Sequence, residues 1–311
     1  MKNNLTVIMY HYVRNLKRSR FPEIKGLEVS DFEKQIKYLL KNYTIISMEE
    51  LIESIDTNKL LPKNAALLTF DDGYKDNFTY VLPILLKYRI KGAFYITTKC
   101  IEEKRVLDVN KIHFLLASEE NKTILVQKIY KELDKYRDIY NLKENNFYYE
   151  KLAKKSRFDN EEVCFIKKML QVELDKELRE IILNKLFKEY IKISEEVFSE
   201  ELYLTPEQIV CMQKLGMHIG VHTYSHLWLN SLTKEEQKME IELSIDYLKK
   251  IGLNIENLTI CYPYGGVNED TIEVIENLNI KLGFTVVPKI AEINYENRFL
   301  IPRLDTNDIP K

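Results

Sequence analysis

Two adjacent carboxylates, Asp71 and Asp72, end the short run AALLTF in the stretch AALLTFDDGY at residues 65–74. An apolar run broken by acidic residues and a glycine predicts a buried parallel strand ending in a tight turn. Strand alternation sends the two side chains different ways from one spot. Like charges this close repel in a dry site unless one binds a cation and the other is solvated or paired. One carboxylate as metal ligand and the other as proton acceptor resolves the conflict. Downstream, HIGV at 218–221 reads as a strand running into HTYSH, where His222 and His226 stand four apart and can converge on one metal. TICYPYG at 259–265 is a further strand, followed by a turn with Pro263, Tyr264 and Gly265. Each segment alone has an ordinary reading: a DDG turn, a satisfied histidine pair, a PYG turn.

The elements that must position these residues alternate along the chain. Residues 5–10 form a first strand with His11 at its carboxyl end. A capping box at Ser30 opens a helix, residues 44–46 form a second strand, and Ser47 opens another box. The third strand carries the acidic pair, a helix follows over 81–88 with Pro83 near its first turn, and 93–96 is the fourth strand. The βα rhythm then stops. Residues 99–201 have few glycines or prolines, many Lys and Glu, and apolar residues at helical spacing, which predicts an inserted set of amphipathic helices. The rhythm resumes with caps at Thr205 and Thr233 around the fifth strand, then a sixth at 259–262 and a seventh at 282–287. The tail, FLIPRLDTNDIP, is expected to return across the barrel mouth. This α/β alternation argues for a closed or nearly closed parallel barrel, although an open doubly wound sheet fits the pattern equally. In a barrel, residues after strands one, three, five and six share one rim.

Composition narrows the classes. The chain has 311 residues, 45% of them apolar, ample for one α/β domain. Its 46 basic and 48 acidic residues nearly cancel, so nothing suggests nucleic acid as a partner. No apolar run approaches membrane-spanning length, and the N-terminus lacks a signal-peptide pattern. The expected location is therefore the cytoplasm, within reach of the inner membrane face. Cys100, Cys164, Cys211 and Cys261 are scattered without CxxC pairing and are expected to be reduced, buried thiols.

TFDDG at 69–73, HTYSH at 222–226 and PYG at 263–265 together resemble the three motifs of the polysaccharide deacetylases, the NodB-homology group of carbohydrate esterase family four. YHYV at 10–13 and PRLD at 302–305 resemble its poly-N-acetylglucosamine deacetylase branch. The resemblance covers most of the chain outside the insertion. It implies a distorted (β/α)7 barrel, the NodB-homology fold, as one deacetylase barrel over 1–311 with the helical insertion 99–201 after strand four.

The resemblance also implies roles. Asp72, His222 and His226 become the metal ligands, a mixed nitrogen and oxygen set that suits Zn2+, with Co2+, Ni2+ or Fe2+ as alternatives. Asp71 becomes the general base, and the Tyr264 backbone N–H faces the oxyanion. Two departures stand out. Many members carry an arginine just before the third motif, where this chain has Cys261 and Tyr262. Many also carry a late general-acid histidine, and no histidine follows His226. In this reading Arg303 braces Asp71. His11, on the same rim and with an imidazole that titrates in the right range, becomes the acid or a substrate contact. His218, His113 and Trp228 are read as structural, and Asp76 as a cap on local amides.

The implied activity is metal-dependent hydrolysis of the N-acetyl (acyl) amide of an amino sugar in a saccharide or glycan precursor. Hydrolysis of a non-sugar amide is one alternative; a catalytically impaired glycan-binding homologue is another. The insertion is expected to form a lid or wall over the metal, or a homo-oligomer contact beside it.

Overall fold

The computed structural model describes residues 3–157 and 159–311. Its strands are β1 (Asn4–Tyr10), β2 (Val13–Arg14), β3 (Leu27–Glu28), β4 (Thr44–Ile45), β5 (Ala65–Phe70), β6 (Ala93–Ile96), β7 (His218–Val221), β8 (Thr259–Cys261), β9 (Leu282–Phe284), β10 (Ala291–Glu292) and β11 (Leu304–Asp305). By contacts the chain forms two compact units: residues 1–15, 26–105 and 199–311, and residues 16–25 and 106–198.

The first unit is a curled α/β sheet in the order β10-β1-β5-β6-β7-β8-β9, with every step from β1 to β9 parallel. All six residues of β5 are buried, which explains its continuous apolar run. Strand alternation divides the core in two. Ile8, Tyr10, Leu68, Phe70, Phe94 and Ile96 pack on one face, while Leu5, Val7, Leu67, Ala93, Tyr95 and Phe284 pack on the other. The first face is covered by helices that include Val29–Asn42, Leu82–Lys87 and Lys234–Lys250. Met48, Leu51, Ile52 and Ile55 of the helix Met48–Thr57 join the second.

Two features distort the barrel. Along one edge β5 pairs with β1 through all six residues, so β4 and β6 share the other edge, β4 at Ala65–Ala66 and β6 at Thr69–Phe70. The second strand is therefore a stub below the fourth. The other feature is the seam between β9 and β1. Phe284 bridges Ile301, and β11 pairs with β1 at Ile8 and Met9, so the tail fills this seam and does not cross the mouth as expected.

Several local expectations meet their structures. The capping boxes at Ser47, Thr205 and Thr233 all form. The one expected at Ser30 does not: the helix starts at Val29 with Glu28 as its cap, because Leu27 and Glu28 are held in β3 against β2. Three of the cysteines are buried, but Cys211 is only half-buried; all four are free thiols.

The second unit is helical, with Asp108–Ser118, Lys122–Tyr136, Asn145–Leu152, Glu161–Lys168 and Lys176–Ile191 around a core of Ile112, Leu115, Ile129, Phe165, Met169 and Leu183. Among the described residues, no helix is long and apolar enough to cross a membrane.

Candidate metal centre and active site

The turn after β5 places the two aspartates. Asp71 continues the strand's pairing, its N–H donating to the Tyr10 carbonyl at 2.9 Å. Asp72 then takes φ 72° and Gly73 φ 70°. A left-handed Asp is uncommon, and such conformations persist where the surroundings over-determine them. The turn aims the two carboxylates at different partners.

The Asp72 side chain faces the residues after β7. Its Oδ1 lies 3.4 Å from His222 Nε2 and 3.3 Å from His226 Nε2. Those distances are too long for charge-assisted hydrogen bonds, which run about 2.7–2.9 Å. They match the edge of a tetrahedron around a cation with ligand bonds of about 2.1 Å, which is about 3.4 Å. Oδ1 is buried and has no hydrogen-bond partner among the described residues. His222 Nδ1 lies 2.7 Å from the Cys261 carbonyl, which can only accept, so Nδ1 carries the proton and Nε2 presents its lone pair to the site. One atom from each of Asp72, His222 and His226 lies within 4.8 Å of the others, all buried. An orphaned carboxylate oxygen, an imidazole fixed in the ligating tautomer and the tetrahedral spacing together fit a divalent cation.

The electrostatics favour an anionic Asp72 and a neutral His226. Burial pushes the Asp72 carboxyl up, but the His222 and His226 imidazoles that face it, with the charge of His226 and His11, hold it well below the usual range. Burial also opposes the charge on both imidazoles. At His222 the two carboxylates overcome it and raise the pKa, whereas at His226 burial prevails and the pKa falls.

A residue that the motif spacing did not single out completes this centre. The Tyr74 hydroxyl donates to Asp72 Oδ2 at 2.5 Å, and its ring stacks on Tyr12 at 4.1 Å between centroids. Burial, reinforced by the adjacent Asp72 charge, pushes the Tyr74 phenol well above its usual pKa, so it remains a donor. It occupies one carboxylate oxygen and leaves Oδ1 facing the two imidazoles, where a cation could be held.

Asp71 faces the other way, into a clamp. Arg303 Nη1 donates to its Oδ1 at 2.9 Å and Nη2 to its Oδ2 at 2.8 Å. The same guanidinium donates to Thr69 Oγ1 and the Thr285 carbonyl, and Arg303 is 1% exposed. Burial raises the Asp71 carboxyl, but the Arg303 charge, helped by His222 and His11, holds it below the usual range. His11 Nε2 lies 3.9 Å from Asp71 Oδ2, and the His11 side chain is 40% exposed, so its ring is not turned into the core.

Tyr264 sits in the turn after β8 with φ 57°, its ring edge-on to His226 at 4.8 Å. Trp228 stacks on Tyr264 at 4.4 Å with planes 10° apart, so the expectation of simple packing missed its place beside the centre. His218 is structural as expected, bonded to Thr259 Oγ1 at 2.9 Å. Asp76 does not cap local amides. It pairs with Arg14 Nε at 2.7 Å, and burial outweighs that charge to raise its carboxyl.

A family model described as polysaccharide deacetylase matches residues 58–154 and 158–283. YxkH of Bacillus subtilis, a polysaccharide deacetylase by name, is 22% identical over 291 residues, covering 92% of this chain; the chain spans just under two thirds of that protein, 66%. The poly-beta-1,6-N-acetyl-D-glucosamine N-deacetylase of Staphylococcus aureus is 24% identical over 318 aligned residues, 99% of this chain and 80% of that one. The deacetylase PplD of Streptococcus pyogenes, solved in complex with acetate, shares the fold with a TM-score of 0.59 at 20% identity, covering 98% of this chain and 93% of that chain. IcaB from Ammonifex degensii does so with a TM-score of 0.57 at 18% identity and the same coverage.

Proposed function

Since the chain belongs to the polysaccharide deacetylase family, we propose that it is a metal-dependent N-deacetylase that releases acetate from an N-acetylated amino sugar within a saccharide. The observation that carries the metal is the buried, partnerless Asp72 Oδ1 facing the Nε2 atoms of His222 and His226 at tetrahedral spacing. Asp72, His222 and His226 would hold the cation, Zn2+ being the simplest match to their donors. When bound, such a cation polarises the amide carbonyl and lowers the pKa of a water from about 15.7 to about 7.

This chain's own residues do the rest. Asp71 stays ionised because Arg303 stabilises its charge. Each of its oxygens accepts one guanidinium N–H and keeps lone-pair capacity, so Asp71 can take the proton of the attacking water. The Tyr264 backbone N–H is assigned to the carbonyl oxygen as negative charge builds there; Pro263 beside it has no N–H to offer. His11 reaches the same carboxylate from the exposed side, which suits it to hand a proton to the departing amine. The products are acetate and the free amino sugar.

The test is acetate release from N-acetylated saccharides by chelated protein, before and after divalent metal is returned. Activity that returns with metal supports the reading. Undiminished activity after complete chelation refutes the metal, and no release from any saccharide refutes the substrate class.

A further inference from the structure

We propose that Trp228 is a stacking platform for the sugar ring next to the one being deacetylated, and that the enzyme therefore prefers saccharides of two or more rings. This rests on the deacetylase reading above and adds to it a residue and a substrate length.

The rings run outward in order. Tyr264 sets its edge against His226 at 4.8 Å, and Trp228 lies flat on Tyr264 at 4.4 Å. Tyr264 covers one indole face, yet Trp228 remains 37% exposed. Packing does not require that exposure, because the neighbouring Leu229 is fully buried and anchors this turn in the core. The turn itself is held: the Ser231 N–H and Oγ both donate to the Trp228 carbonyl, at 3.0 and 2.7 Å. It also packs closely on the turn that carries Tyr264. A Cβ on Gly266 would come within 2.8 Å of Asn230 Oδ1 and 3.3 Å of Leu229 N, so a glycine is what lets the two turns meet. Indole and phenol are thus fixed before any ligand arrives, and little ordering cost falls on binding.

A pyranose matches this surface. Its C–H face is apolar and slightly positive, complementing the negative face of an indole, while its hydroxyl rim stays in water. The reacting amide has to meet Asp71 and the triad, and Tyr264 stands between His226 and Trp228. The ring on the indole is therefore a neighbour of the reacting one.

Trp228 is the only tryptophan of the chain, so tryptophan emission reports this one position. In an Asp71→Asn protein, which binds without rapid turnover, N-acetylglucosamine disaccharide to tetrasaccharide should shift the emission saturably, and the monosaccharide should not. In the wild type, kcat/KM should rise on the order of tenfold from monosaccharide to disaccharide. Trp228→Ala should lose that rise through KM, and Trp228→Phe, which keeps an aromatic face, should restore most of it. Emission unmoved at saccharide concentrations that saturate turnover overturns the platform, as does an unchanged length dependence in Trp228→Ala. A wild type that releases no acetate from any of these saccharides refutes the deacetylase reading instead.

Discussion

Replacing Arg303 by methionine isolates the clamp on Asp71. The substitution keeps most of the side chain's length but removes both bonds to the carboxylate and the donors to Thr69 and Thr285. Breaking one partner of a buried ion pair costs about 3–5 kcal/mol, because the other charge is left buried without compensation. The Asp71 carboxyl, held below its usual range by Arg303 against the effect of burial, should move upward once burial acts alone. In the wild type the folded pKa lies below the unfolded value of about 3.9, so the pair's stabilisation is present above that pH and disappears as pH falls through the folded pKa. In Arg303→Met the order inverts, and stability should decline as pH rises through the raised pKa. Urea unfolding between about pH 4 and 8 reads the stability, and kcat/KM over the same range should show the acid limb displaced to higher pH. The double variant Arg303→Met/Asp71→Asn should recover most of the stability and none of the activity, since it leaves no unpaired charge. A single variant within about 0.5 kcal/mol of wild type, with its acid limb unmoved, would refute the assignment of Arg303 as the brace.

Three further outcomes follow from the site. Asp71→Asn should retain stoichiometric metal by elemental analysis and turn over at least about 100-fold more slowly; loss of metal would mean that the roles of the two aspartates are reversed. Tyr74→Phe removes the donor to Asp72 Oδ2 and should weaken metal affinity about 10–100-fold in a chelator competition, a result that affinity equal to wild type would contradict. His11→Gln should depress turnover and flatten the alkaline limb with metal content unchanged; an unaltered pH profile would move the proton donation elsewhere.

The convergence of Asp72, His222 and His226 was legible in the sequence because each of its parts is local. A strand followed by DDG, and a second strand followed by two histidines four apart, carry their spacing in a few residues, and parallel βα units bring strand ends to one rim. The strands and most helix caps were legible for the same reason, since alternation and capping are short-range. Tertiary structure decided the Ser30 cap, because pairing of β3 with β2 extended Leu27 and Glu28 and made Glu28 the cap. It also decided the path of the tail, which follows unpaired edges of β1 and β9 whose availability depends on the whole sheet. The Arg303–Asp71 contact spans 232 positions, and only the family resemblance suggested it from the sequence. Tyr74 and Trp228 had no spacing signal, because an aromatic ring reads the same whether it fills a core or flanks a metal ligand. What separates those fates is where the hydroxyl or the exposed part of the ring ends up. That depends on a left-handed Asp72, which hands one carboxylate oxygen to Tyr74, and on two turns close enough at Gly266 to stack an indole on Tyr264.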